Sequence, residues 1–221
     1  MSAIAFQPWP KTPRLFRDAT TTEKIDGTNA AIQVIDPNHG VELDDRLYPA
    51  NQPKTGEIVY VGLGVQTPAG RRLVAAQSRN KLITPGSGTD NAGFAAWVHK
   101  HATELATVLG DGVHFGEWWG HGIQRGYGLA QGDRRFSLFN VHRYRHVTEI
   151  PDVVPGLGLV PVLDQFTFST ERVEKVKAEL AATGSKAAPG FMRPEGVIVF
   201  HSAAGQVFKS LIENDDIPKG E

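Results

Sequence analysis

Residues 23–35 read Glu-Lys-Ile-Asp-Gly-Thr-Asn-Ala-Ala-Ile-Gln-Val-Ile, and their pattern decides the fold. From Thr28 onward Ala30, Ile32 and Val34 fall on one face, the period-two spacing of a strand with one buried side. Asp36-Pro37-Asn38-His39-Gly40 then turns the chain. Outward from this strand, residues 57–63 and 71–77 read as two more, separated by a Pro/Gly-rich turn. Residues 113–119 and 135–141 are also extended, rich in aromatic and β-branched side chains. Residues 196–201 and 206–211 flank Ser202-Ala203-Ala204-Gly205, which suits a hairpin loop. Two helices interrupt the strands. Asp90 or Asn91 would cap one carrying Phe94, Trp97, Val98, His101, Leu105 and Val108 on a stripe, stopped near Gly110. The other runs over 170–182 with Val173, Val176 and Leu180 inward and Gly184 as its stop. Strands in this number with two helices predict an α+β fold built on antiparallel sheets, in a single domain over 1–221.

Composition narrows the chemistry. A formal net charge of −1 provides no global basic field for a nucleic acid, so any such contact must come from local patches. Absence of cysteine excludes disulfides, a thiolate zinc site and a cysteine nucleophile. The N-terminal residues lack the basic start and apolar run of a signal peptide, and no window reaches the run of about 18 apolar residues of a membrane helix. The expectation is a cytoplasmic protein with no membrane partner.

Five short clusters carry chemistry. In Glu23-Lys24-Ile25-Asp26-Gly27-Thr28-Asn29, Lys24 lies between a carboxylate and a glycine turn. It is either a surface ion pair or a nucleophile, and a lysine nucleophile needs desolvation or nearby positive charge to lose its proton. Glu117, in Phe115-Gly116-Glu117-Trp118-Trp119-Gly120, ends an apolar strand beside the glycine-rich Gly122-Ile123-Gln124-Arg125-Gly126-Tyr127. It is either an exposed strand end or an acceptor for ribose hydroxyls. Phe139 lies in an aromatic run that is either core or a base platform. Glu195 precedes the strand 196–201, where a carboxylate either caps the strand or holds Mg²⁺ with its waters. Lys209 sits on the next strand, where a lysine often only covers an edge. The spacing of His99, His101, His114 and His121 fits no zinc helix, and there is no P-loop or nucleophile elbow.

Taken in order, these clusters resemble the nucleotidyltransferase motifs of ATP-dependent RNA ligases, especially the type that seals breaks in double-stranded RNA. The resemblance runs from Glu23 to Lys209. It implies an antiparallel-sheet nucleotidyltransferase domain, the ATP-grasp-like adenylation domain of ligases, with flanking helices. It implies ATP as substrate and Mg²⁺ or Mn²⁺ as cofactor. It further implies that Lys24 forms a lysyl-AMP, that AMP passes to an RNA 5′-phosphate, and that a 3′-hydroxyl completes the seal in RNA repair. Glu23 would contact the nucleoside, and Asn29 would lie near the ribose. Arg79 would meet the nucleotide and the RNA 5′-phosphate, and Glu117 the ribose hydroxyls. Phe139 would stack on adenine, Glu195 would hold the metal, and Lys209 would neutralise phosphate charge. Asp26 and Gly27 would shape the loop presenting Lys24.

Three departures stand out. The family's last motif carries two lysines, and the first is Val207 here, so Lys186, Lys81 or an arginine would have to substitute. Only 12 residues follow Lys209, which leaves no room for an appended C-terminal domain. The net charge is not basic, so a protein partner supplying nucleic-acid affinity is one expectation beside RNA ends in a nicked duplex or broken RNA. Other readings are a related adenylyltransferase or DNA-joining ligase, and a non-catalytic nucleotide- or RNA-binding module.

Overall fold

The structure, a computed structural model, describes residues 5–37, 62–149 and 153–215. Its strands in chain order are β1 (Asp18–Lys24), β2 (Thr28–Ile35), β3 (Leu63–Thr67), β4 (Gly70–Ser78), β5 (Leu82–Ile83) and β6 (Gly112–Gly120). There follow β7 (Arg134–Leu138), β8 (Leu157–Leu159), β9 (Val162–Thr167), β10 (Gly196–His201) and β11 (Gln206–Leu211). The helices are α1 (Phe94–Lys100), α2 (Ala102–Leu109), α3 (Arg145–Glu149) and α4 (Thr170–Thr183). The fold is α+β, as the strand count predicts. It forms two compact units interleaved in sequence: residues 1–24, 161–186 and 192–221 make one, and residues 25–160 and 187–191 the other.

In the first unit, four antiparallel strands are ordered β11-β10-β1-β9. One face of the sheet meets α4: Ala19, Val197 and Val199 pack with Val173, Val176 and Leu180. The helix starts where Ser169 accepts from the Arg172 amide at 3.3 Å and stops at Gly184, whose left-handed φ of 81° a side chain would resist. Both ends and the inward stripe agree with the sequence reading. The strand β1 escapes that reading because its buried residues include three threonines, Thr20, Thr21 and Thr22, rather than aliphatic side chains.

The second unit is a seven-stranded sheet ordered β3-β4-β2-β6-β7-β8, with β5 paired to β4. Only β7 and β8 run parallel among the pairs described. Ala30, Ile32, Val34, Val74 and Ala76 form its apolar face, and α1 and α2 bury Phe94, Val98, Leu105 and Leu109 against it. The expected single helix is instead two, joined at His101 (φ −112°, ψ 20°). His101 N–H still bonds Trp97 O, and Leu105 N–H bonds His101 O, so the joint is a kink. The helix begins at Phe94 after Gly93, not at a cap on Asn91; Asp90 instead accepts from the Ala96 amide at 2.9 Å. The strand expected over 135–141 ends at Leu138, where Phe139 N–H bonds Phe115 O and Val141 N–H folds back on Phe139 O. Of the strand expected over 57–63, only Gly62 and Leu63 are among the described residues, and Leu63 opens β3.

Candidate active site

Strand alternation splits Glu23 from Lys24. Successive side chains of a strand point to opposite faces, so the two neighbours cannot share a face. Glu23 lies on the α4 side, 1% exposed, and its carboxylate accepts from Ser185 Oγ at 2.5 Å and from the Lys186 amide at 2.7 Å. It therefore ties the end of α4 to β1. Lys24 lies on the other face, and its Nζ donates to Glu195 Oε2 at 2.5 Å. The register explains this meeting: Lys24 pairs with Gly196, so the residue just before β10 stands beside the last residue of β1. Gly196 is required by close approach, since a Cβ there would come within 2.3 Å of Ser210 O. Lys24 remains a quarter exposed and Glu195 is nearly covered, at 24% and 11%.

Lys209 pairs with Ile198, which pairs with Thr22, so it sits on the Lys24 face two strands away. Val207, exposed to 64%, lies on the same face one step farther from Lys24. Lys186 Nζ donates to Thr183 Oγ1 at 3.1 Å.

The second unit holds the residues that follow Lys24. Asp26 Oδ2 accepts from Arg125 Nε at 3.1 Å, and the Asp26 amide donates to the Tyr127 hydroxyl at 2.8 Å. The Gly27 amide donates to Glu117 Oε1 at 3.1 Å, and a Cβ at this glycine would meet Trp118 O at 2.5 Å. Only glycine lets the chain run this close to β6. Asn29 is the cross-strand partner of Glu117, which places both side chains on one face of the sheet. Ala31 and Phe115, paired in the same register, share that face, and so does Gln33, which bonds Gln77. Phe115 is 43% and Phe139 40% exposed, an adjacent pair of aromatic surfaces joined through the Phe139 amide. Arg79 is exposed at the turn between β4 and β5, one residue past Ser78, the partner of Ala30.

The sequence reading missed Phe115, Gln33, Gln77, Arg125 and Tyr127 as members of this face and its loop. Counting by twos from Glu117 reaches Phe115, and counting from Asn29 reaches Gln33. The two loop residues had no comparable signal, because their roles arise from a turn of irregular geometry.

Among the described residues no three His, Cys, Asp or Glu side chains gather as a closed metal cage. A hard ion such as Mg²⁺ takes one or two carboxylates and completes its shell with water and phosphate oxygens. Glu195, paired with Lys24 and 11% exposed, is a carboxylate that could serve such an ion. His114, far from such a role, is fully buried between Tyr144 OH at 2.8 Å and Gly110 O at 2.9 Å.

The chain carries a strand-borne lysine beside an acid in one unit and a polar sheet face ending in a glutamate in the other. Its fold is similar to that of Naegleria gruberi RNA ligase. One mutant of that enzyme, solved with AMP and Mn, aligns at a TM-score of 0.56 and 15% identity over 89% of this chain and 50% of that one. Another, solved with ATP and Mn, aligns at 0.56 and 15% over 90% and 51%. An apo mutant gives 0.55 and 15% over 89% and 50%. The chain thus spans about half the length of these ligases. No curated protein sequence matches it. The RNA ligase family profile matches residues 17–210, and the chain belongs to that family.

Proposed function

We propose that this chain is the single adenylation domain, over 1–221, of an ATP-dependent RNA ligase, with Lys24 as its nucleophile. The observation that carries the reading is the Lys24–Glu195 contact at 2.5 Å on a face where Lys24 remains open to a ligand. In the first step the neutral amine of Lys24 attacks the α-phosphorus of ATP. A nitrogen–phosphorus bond forms, the bond to the β-phosphate oxygen breaks, and pyrophosphate leaves. An RNA 5′-phosphate oxygen then takes the AMP from Lys24, and finally a 3′-hydroxyl displaces AMP from that activated end.

The residues divide this work. Glu195 would hold Mg²⁺ or Mn²⁺, which when bound offsets phosphate charge and favours attack. A carboxylate engaged with the metal would no longer pair with Lys24, which would leave its amine turned toward the nucleotide. Glu117 accepts from Gly27, and a carboxylate has further lone pairs for ribose hydroxyls. Asn29, its cross-strand neighbour, would support the same ribose, Phe139 would stack on adenine, and Arg79 would meet a phosphate. Lys209 would neutralise the departing phosphates. Glu23 supports the site from behind, by holding Ser185 and Lys186. No helix among the described residues is long and apolar enough to cross a membrane. The enzyme would act in the cytoplasm on nicked duplex or broken RNA.

The test uses ATP labelled at the α-phosphate, Mg²⁺ and a denaturing gel. Wild type should carry the label, γ-labelled ATP should leave none, and Lys24→Ala should carry none while keeping its circular dichroism. Label retained by Lys24→Ala would defeat the proposal. Sealing of a nicked RNA duplex carrying a 5′-phosphate tests the later steps.

A further inference from the structure

Arg125 and Tyr127 belong to the tight loop between β6 and β7, and the chemistry above gives neither a task. Tyr127 is buried, 2% exposed, yet its backbone is left-handed at φ 52° and ψ 22°. A residue with a bulky side chain adopts that region only where its surroundings require it. The surroundings here are specific. Its ring lies 4.5 Å from that of Phe191 and meets Trp119 edge-on at 5.2 Å, in an apolar cluster that also contains Ile25. This packing aims the phenol oxygen at the Asp26 amide, which donates to it at 2.8 Å. Gln124, three residues before, is also left-handed, at φ 45°, and the loop so formed turns Arg125 onto the Asp26 carboxylate.

We propose that Tyr127 is a positioning residue for the nucleophile segment, with Arg125 as its second anchor. This rests on the reading of Lys24 as the nucleophile. Tyr127 acts on the backbone of Asp26 and Arg125 acts on its side chain, so the residue two beyond Lys24 is gripped at both ends. Ile25, between them, is 3% exposed and packs in the Tyr127 cluster. The path of the chain as it leaves Lys24 is therefore fixed by a loop about 100 residues downstream, as the separations of 101 and 99 in sequence record. A mispositioned nucleophile lowers the rate of attack without weakening ground-state binding of ATP.

Tyr127→Phe retains the ring and removes the hydroxyl, and with it the bond from the Asp26 amide. Rapid-mixing measurement of lysyl-AMP formation should show the maximal rate down about tenfold, with half-saturation by ATP changed less than about twofold. Arg125→Gln should give a smaller loss of the same kind. Arg125→Gln combined with Asp26→Asn should lose no more than the worse of the two single variants, since both remove one contact. Urea midpoints of Tyr127→Phe and Arg125→Gln report whether the fold survives, and Arg125→Gln, changing a part-exposed ion pair, serves if Tyr127→Phe does not fold. Rates within about twofold of wild type in the folded variants, or a loss carried by ATP half-saturation alone, would overturn the positioning role while leaving the lysyl-AMP reading intact. A wild type that takes no label would overturn both.

Discussion

Lys24 is held by the Glu195 carboxylate at 2.5 Å and is still a quarter exposed, whereas each of the next three residues is fixed from a different direction. Ile25 is buried in an apolar cluster, Asp26 is bonded through both its amide and its carboxylate, and Gly27 is bonded to Glu117 and pressed against β6. The difference separates two demands on one motif. On the proposed lysyl-AMP reading the amine must change partners during the reaction, and a part-exposed ion pair suits it. On the same reading the backbone behind it must stay in place, and it is held by a buried side chain and three hydrogen bonds. Glu23 shows the same division: it faces away from Lys24 and serves as a buried tie to the end of α4.

The largest effect that would sharpen this comparison is expected at the exchangeable partner. Glu195→Gln should lower lysyl-AMP formation by about a hundredfold or more, because an amide neither pairs with the ammonium nor holds Mg²⁺ as a carboxylate does. Raised Mg²⁺ should restore little of it. Wild-type rates in that variant would break the division at its active end. On the fixed side, Gly27→Ala should destabilise the protein by about 1–3 kcal/mol, read as a shifted urea midpoint, since its Cβ would lie 2.5 Å from Trp118 O. An unchanged midpoint would mean the chain at Gly27 has more room than this packing allows.

A control lies on the back of the same strand that carries Glu117. Burial lowers the pKa of His114 from 6.5 to about 4. The unfolded chain therefore binds this proton more readily than the folded protein, so the stability from neutral His114 is full above pH 6.5 and declines as pH falls toward 4. Between pH 7 and pH 5 urea unfolding should lose about 2 kcal/mol from this residue, and His114→Asn should flatten that dependence. The smallest effect is expected at Val207→Lys. An exposed site on the Lys24 face should accept a lysine without loss of lysyl-AMP formation and with equal or modestly faster sealing. A clear loss of adenylation would show that β11 is not aligned with the family's last motif.

The elements that were legible in sequence are those whose side chains alternate cleanly. The strands β2, β4, β6, β10 and β11 and the helix α4 follow directly from apolar period and stop signals. By contrast β1 was hidden, although it ends in Lys24, because Thr20, Thr21 and Thr22 carry no such pattern. Candidate site residues stand out in sequence where a motif brings them close together, as with Lys24 and Gly27. The pairing of Lys24 with Glu195, 171 residues apart, depends on the β1–β10 register. The opposed directions of Glu23 and Lys24 follow from β1 being a strand, so missing the strand also hid the buried role of Glu23. The grip of Tyr127 on Asp26 needs two left-handed residues in one loop, which no propensity announces.

The most direct test of the central claim is to incubate the protein with ATP and Mg²⁺, digest it, and locate AMP by tandem mass spectrometry under conditions that preserve a phosphoramidate. AMP is expected on the side chain of Lys24, released by pyrophosphate and missing when ATP is omitted. AMP on another lysine, or none from a protein that binds ATP, would contradict the account.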